Sequence, residues 1–138
     1  MPDLARISLT IDAPLLERLE RIMAASGYRN RSEFVRDMVR EQIVQRDWQD
    51  DRESLATITL LYKHDQHGLS DKLADVQHHH HKEVLVTTHI HLDETRCAEI
   101  IVLRGKASRL AHIADELRKQ RGVLHAALSI SSTGRQLL

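Results

Sequence analysis

Residues 5–11 read ARISLTI, an unbroken alternation in which Ile7, Leu9 and Ile11 fall on one side and Arg6, Ser8 and Thr10 on the other. That is the period of a half-buried β-strand. A single strand is not stable alone, and no second strand follows nearby, so this one must find a partner elsewhere. Asp12 and Pro14 then open a helix, an acid at the capping position and a proline tolerated in the first turn. Leu15, Leu16, Leu19, Ile22 and Met23 give it an apolar stripe, and Gly27 ends it. Asn30 can cap a second helix, with Glu33 at the capping-box position and Phe34, Val35, Met38, Val39 and Ile43 on its apolar face. The unit is therefore strand, helix, turn, helix. Two such units can pair their orphan strands into an antiparallel ribbon and interleave their helices; otherwise the strand is donated to the edge of a sheet further along the chain.

With 138 residues there is room for one ordinary domain or two very small ones, and Tyr28, Phe34, Trp48 and Tyr62 are the only aromatics. The core must be aliphatic, and very small domains bury little surface, which makes association an expected source of extra core. No apolar run approaches the roughly 20 residues of a membrane span, and there is no signal-peptide pattern at the N-terminus. A lone cysteine excludes an internal disulfide and fits a reducing cytoplasm. Formal net charge is zero, and residues 1–48 carry eight arginines against eight acids, so any nucleic-acid affinity must rest on local basic surface.

The charged stretch RDWQDDRES (46–54) reads as a linker or as an extension of the second helix. Beyond it, 55–63 is β-rich, a helix follows with Leu69, Leu73 and Val76 in phase, and 83–92 with 97–104 form a hairpin around Asp93 and Glu94. Gly105 leads into a helix carrying Leu110, Ile113, Ala114 and Leu117, and 123–130 is a last strand. The order β-α-β-β-α-β is the split-βαβ, ferredoxin-like arrangement. The expected fold class is α+β: a first domain over 1–48, a linker over 49–54, a second domain over 55–132 and a tail over 133–138.

Six of the ten histidines and the cysteine lie between Val76 and Cys97. The run of four histidines is internal, where a purification tag would be terminal. His89 and His91 project from the same strand face. Cys97 joins them only if the hairpin loop is odd in length; an even loop puts it on the other face. Imidazole and thiolate together suit zinc, copper, nickel or iron and argue against magnesium and calcium. By helical phase His78 lies about 200° round from Val76, pointing away from its own sheet, and reaches a metal on a neighbouring subunit more readily than one on its own. His80 falls on the buried stripe, a structural position. Three histidines and a thiolate allow tetrahedral or square-planar geometry, and spacing does not choose between them. The competing reading leaves the histidines as exposed strand residues and Cys97 as a small buried hydrophobe. Glu99, two residues beyond Cys97, is placed to be a general base or to accept a hydrogen bond from a ligand. There is no HExxH, no Gly-rich phosphate loop and no defensible Ser-His-Asp order, so an enzyme is not expected.

Arg6, Ser8 and Thr10 on the outward face of a two-stranded ribbon are suited to the major groove, where arginine can fork onto guanine and hydroxyls serve either base type. Asn30, Arg31 and Ser32 open the second helix, whose free N–H groups can hold a phosphate. The competing reading is an ordinary solvated strand face.

RISLTID, GYRNRSEFVRD, QHHHH, THIHLDETRC and LRG occur in this order. The N-terminal unit resembles the ribbon-helix-helix repressors, and the chain as a whole is similar to the nickel-responsive transcriptional regulators, the NikR family. The resemblance implies an N-terminal dimer that binds palindromic double-stranded operator DNA through its ribbon, with Arg6, Ser8 and Thr10 at base-reading positions; Ser8 stands where threonine is common. It implies a C-terminal ACT-like domain that forms a homotetramer, a dimer of dimers, and binds one Ni(II) per subunit. The ligands would be His89, His91 and Cys97 of one subunit and His78 of its neighbour, in a square plane. Gln77, within QHHHH, and Glu99 would stand behind the ligands. Glu33 and Asp37, one helical turn apart, match a region tied to a secondary cation near the domain junction. The expected function is a cytoplasmic, nickel-dependent repressor of nickel-uptake genes. The alternative is a zinc-stabilised ACT-like module that senses an amino acid or another small ligand.

Overall fold

The computed structural model describes residues 3–138; residues 1 and 2, part of the expected first domain, lie outside it. The chain forms two compact units, one reaching to Ile43 and including Leu137 and Leu138, the other spanning Val44–Gln136.

In the first unit, residues 3–12 carry no regular secondary structure in the protomer, and Ile7 and Leu9 are more than two-thirds exposed. The alternating segment thus has neither ladder nor cover among the described residues. Helix α1 (Ala13–Ala25) and helix α2 (Arg31–Gln49) follow. Asp12 occupies the α1 cap and accepts the first helical bond through its carbonyl, but its side chain makes no cap, contrary to the expectation. Asn30 does cap α2: its Oδ1 accepts from Ser32 N at 2.8 Å and Glu33 N at 3.4 Å. Glu33 does not reach back to complete the capping box; it pairs with Arg36 instead. Tyr28 stacks edge-on against Phe34, the one buried residue of α2. No residue of α1 is buried, and Leu15, Ile22, Met38 and Val39 stay largely exposed. A two-helix unit that buries so little has to cover its apolar faces with something else.

The second unit holds β1 (Glu53–Lys63), α3 (Leu69–His79), β2 (Val84–His91), β3 (Arg96–Lys106), α4 (Ala107–Arg118) and β4 (Val123–Ile130). Its sheet has the order β2-β3-β1-β4, with every neighbouring pair antiparallel. Together with the element order this is the ferredoxin-like fold, and the α+β class read from periodicity holds. The charged stretch expected as a linker is largely structured: α2 runs to Gln49, Trp48 packs on the core, and only Asp50–Arg52 separate helix from strand.

Alternate residues of β1, namely Ala56, Ile58, Leu60 and Tyr62, are buried, and register places them opposite Leu103, Ile101, Glu99 and Cys97 of β3. This face packs on Leu69 and Leu73 of α3 and on Leu110, Ile113, Ala114 and Leu117 of α4. Each large aliphatic side chain so buried contributes on the order of 1.5–3 kcal/mol relative to exposure. Gly122, at φ +102°, is strained for any other residue, and a Cβ there would lie 2.6 Å from Gln66 Cγ, so that side chain would have to shift.

Candidate metal centre

The hairpin of β2 and β3 sets the site. Register pairs His91 with Cys97 and His89 with Glu99, so five residues separate His91 from Cys97 and all four side chains share one face. The odd spacing required for convergence is the one observed. Asp93 fixes the turn by accepting from Thr95 N at 3.0 Å and Arg96 N at 2.8 Å, and by pairing with the Arg96 guanidinium. The hydrogen bond from Arg96 holds the Asp93 carboxyl far below the usual range.

Cys97 is fully buried, and its Sγ lies 3.5 Å from His91 Nδ1. The His89 and His91 rings are 4.7 Å apart. His64, which follows directly on β1, brings its Nδ1 to 3.3 Å from the same sulfur. His64, His91 and Cys97 thus form a trio with the spacing of metal ligands. His64 was not foreseen, because its position depends on β1 pairing with β3, which places Tyr62 opposite Cys97. Burial, then the nearby Asp93 and Glu99 carboxylates, push the Cys97 thiol up, so without a cation beside it the sulfur keeps its proton.

His89 is held from behind. Its Nδ1 lies 3.0 Å from the Tyr62 hydroxyl, which donates to Glu99 at 3.3 Å. The hydroxyl has one proton, so if it goes to Glu99 the imidazole must supply the Nδ1 proton, which leaves His89 Nε2 bare as a donor to a metal. Gln77 Nε2 donates to the other Glu99 oxygen at 3.0 Å and is itself held by Thr87. Burial, then the charge of Glu99, raises the Tyr62 hydroxyl well above its ordinary value, so it remains a donor.

The other expected site residues are more scattered. His78 is exposed on α3, in a shallow groove with Gln77, Leu85, Thr87 and Glu99, and is not part of the trio. Arg6, Ser8 and Thr10 are exposed. Arg31 is engaged by Glu20 at 2.5 Å, and the Ser32 and Glu33 N–H groups already donate to Asn30, so the start of α2 offers fewer free donors than the sequence suggested. Glu33 pairs with Arg36 and Asp37 with Arg40, while Tyr28 donates to Asp37 and keeps that carboxyl low. Among the described residues no helix is long and apolar enough to cross a membrane.

A ferredoxin-like unit with a thiol and imidazoles converging on one sheet face, preceded by a strand-period segment and two helices, is the make-up of a metal-binding domain joined to a small helical N-terminal unit. Residues 55–131 match the NikR C-terminal nickel-binding domain, and residues 5–46 match the copG family of ribbon-helix-helix proteins. A relative from Pyrococcus abyssi is 44% identical over 137 residues, 99% of each chain. One from Geobacter metallireducens is 43% identical over 138 residues, again 99% of each. A third, from Thermococcus kodakarensis, is 40% identical over 134 residues, 96% of this chain and 97% of its own. All three carry the provisional name of nickel-responsive regulator. The chain belongs to the NikR family of nickel-responsive regulators.

Proposed function

We propose that this protein is a nickel-dependent transcriptional repressor that binds palindromic double-stranded operator DNA and shuts down nickel-uptake genes in the cytoplasm, with no catalytic step of its own. The observation that carries this reading is the convergence of His89, His91 and Cys97 on one face of the β2–β3 hairpin. The donor set fits nickel: two imidazoles and a buried thiol are borderline-to-soft ligands, and the thiol becomes a ligand by giving up its proton. Copper binds such a set at least as tightly, so selectivity must come from geometry or availability.

The fourth ligand in this reading is the partner subunit's His78, completing one nickel per subunit in a homotetramer built as a dimer of dimers. Two features support it. β2 is an edge strand, so the site lies where a second subunit can reach, and Leu85 and Val86 beside it are more than half exposed. His78 is exposed on its own helix rather than directed into its own trio. Gln77 and Glu99 hold His89 in place. In the first domain, taken as residues 1–48, pairing of the 5–11 segments of two chains supplies both the missing strand partner and cover for Ile7, Leu9 and Ile11. Arg6, Ser8 and Thr10 then face the major groove, and Asn30, Arg31 and Ser32 the phosphates. Glu33 and Asp37 are assigned to a secondary cation, which must compete with Arg36 and Arg40. Nickel, once bound, supplies a fixed charge that ties α3 of one subunit to the sheet edge of the next. Residues 49–54 join the domains, 55–132 bind metal and tetramerise, and 133–138 form a tail.

A second reading has its own observation: His64 Nδ1, 3.3 Å from Cys97 Sγ, completes the site within one chain. Mixed assemblies separate the two. His78→Ala and Cys97→Ala proteins each bind nickel weakly. Refolded together, they regain complete sites only where an intact His89–His91–Cys97 face meets His78 from the other chain. The expected result is partial recovery of tight binding and of the thiolate-to-nickel absorption band in the mixture, with His64→Ala retaining both. No recovery, with subunit exchange confirmed by mass spectrometry, together with loss of the band in His64→Ala, would establish the single-chain site.

A further inference from the structure

On the far side of the histidine run from this site, His80 closes α3 and turns into the protein. It is only 5% exposed, and its Nε2 lies 3.0 Å from Glu116 Oε2 on α4. His112, one helical turn before Glu116, places its Nε2 2.7 Å from the other carboxylate oxygen. One ligand atom from each of the three residues falls within a 4.8 Å span. We propose that His80, His112 and Glu116 form a second divalent transition-metal site, separate in every residue from the β2–β3 site and taking a borderline ion such as zinc or nickel.

Five features support it. Two imidazoles and one carboxylate are a ligand set for zinc, nickel or copper, and two nitrogens select against magnesium and calcium. His112 and Glu116 are four residues apart on a helix, so they form one side of a chelate without backbone movement. The contacts of 3.0 and 2.7 Å and the overall span of 4.8 Å bracket the roughly 3.4 Å between neighbouring ligands of a tetrahedral ion with bonds of about 2.1 Å, so small side-chain rotations suffice to admit one. The hydrogen bond from His80 and the two adjacent imidazoles hold Glu116 below the usual carboxylate range, so the third ligand is ionised. His112 and Glu116 are open to solvent and provide the entry path, with water left to complete the coordination.

The buried His80 ring also sets the rank of the site. Its Nδ1 is buried and has no hydrogen-bond partner among the described residues. Its engaged nitrogen, Nε2, is the one that faces the cluster. The hydrogen bond to the Glu116 carboxylate needs a proton on His80 Nε2. A metal at Nε2 displaces that proton, and the bound ring then needs it on Nδ1, where no acceptor waits. The second site therefore fills at higher free metal than the first. When filled it ties the C-terminal end of α3, two residues beyond His78, to α4.

The test is equilibrium dialysis of the full chain against Zn(II), comparing wild type with His112→Ala and Glu116→Gln, and repeating all three in a Cys97→Ala background. His112 is largely exposed, so its replacement leaves the fold intact, which circular dichroism checks. The expected result is loss of one zinc equivalent per protomer, or weakening of that equivalent by about tenfold or more, in both variants and both backgrounds. Zinc uptake unchanged by His112→Ala and Glu116→Gln would overturn the site, as would uptake abolished by Cys97→Ala alone. Failure of the nickel-site reading looks different: uptake would ignore Cys97→Ala while the His112-dependent equivalent remained.

Discussion

His91 and Cys97 face each other across the β2–β3 hairpin, with Nδ1 3.5 Å from a fully buried Sγ. The contact exists because the turn is odd in length and Asp93 holds it there. A strand's side chains alternate, so a slip of one residue would send Cys97 to the opposite face and dismantle the site while leaving its sequence intact. The strand edge, the buried sulfur and the turn carboxylate are one device.

Tyr62→Phe should separate the metal site from the core. The ring of Tyr62 fills the core at 1% exposure, and phenylalanine fills the same space. The hydroxyl bridges His89 Nδ1 and Glu99, whose Oε1 is otherwise 3.6 Å from that nitrogen. Without it His89 keeps only this longer contact and is held less firmly in orientation and tautomer. Nickel affinity should fall by about 10- to 100-fold, the usual cost of losing a group that orients a ligand. The melting temperature of the metal-free protein should move by only a few degrees. Nickel titration followed by the thiolate absorption band, beside calorimetry, makes the comparison; an unchanged affinity would remove Tyr62 from the site.

Much of this was legible in the sequence, for reasons that differ by element. The periods of β1, α3 and α4 are strong because each buries one face, and Leu110, Ile113, Ala114 and Leu117 are all buried as their spacing required. The Asn30 cap was readable because capping is local. His64 was not, because its approach to Cys97 depends on pairing between β1 and β3, more than thirty residues apart. The Arg31–Glu20 pair depends on how α1 meets α2, which no local pattern encodes. The capping box failed because arginines at positions 36 and 40 compete for Glu33. Residues 5–11 have the period of a strand and no ladder, since a strand needs a second strand and none of the described residues supplies one.

Asp51 should give the protein a measurable acid limb. It sits in the left-handed region at φ +56°, and its carboxylate accepts from Ser108 N at 2.7 Å at the start of α4. That backbone hydrogen bond holds its folded pKa below the ordinary value, with help from Lys106. The unfolded chain therefore takes up the proton first as pH falls. The stabilisation is fully present above the unfolded value of about 4 and is lost as pH drops through the folded one. Asp51→Asn keeps an acceptor oxygen and tolerates the left-handed conformation, but does not titrate. Wild type should melt above Asp51→Asn at pH 7, and the gap should close at pH values below the folded pKa. A gap that is the same at both ends of the titration would mean that the charge contributes nothing.

Arg6 and Arg31 should fail in different ways if the first domain binds DNA as proposed. Arg6 is exposed on a segment whose outward face is Arg-Ser-Thr, the chemistry of base edges. Arg6→Ala should cost about 1–3 kcal/mol of operator binding and leave random DNA almost untouched. Arg31 stands at the start of α2 and is already paired with Glu20, so it meets a phosphate only by leaving that carboxylate. Arg31→Ala should weaken operator and random DNA alike and lower the salt slope by about 0.9, the value of one phosphate contact. Glu20→Gln should act in the opposite direction, releasing Arg31 and tightening both. Nickel binding should survive all three changes, since none lies in the metal-binding unit. Electrophoretic mobility shifts across a salt series, on operator and scrambled duplexes with nickel present, give every number required. Equal losses on both duplexes for Arg6→Ala would make Arg6 a phosphate contact, and an unchanged salt slope for Arg31→Ala would leave Arg31 as no more than the partner of Glu20.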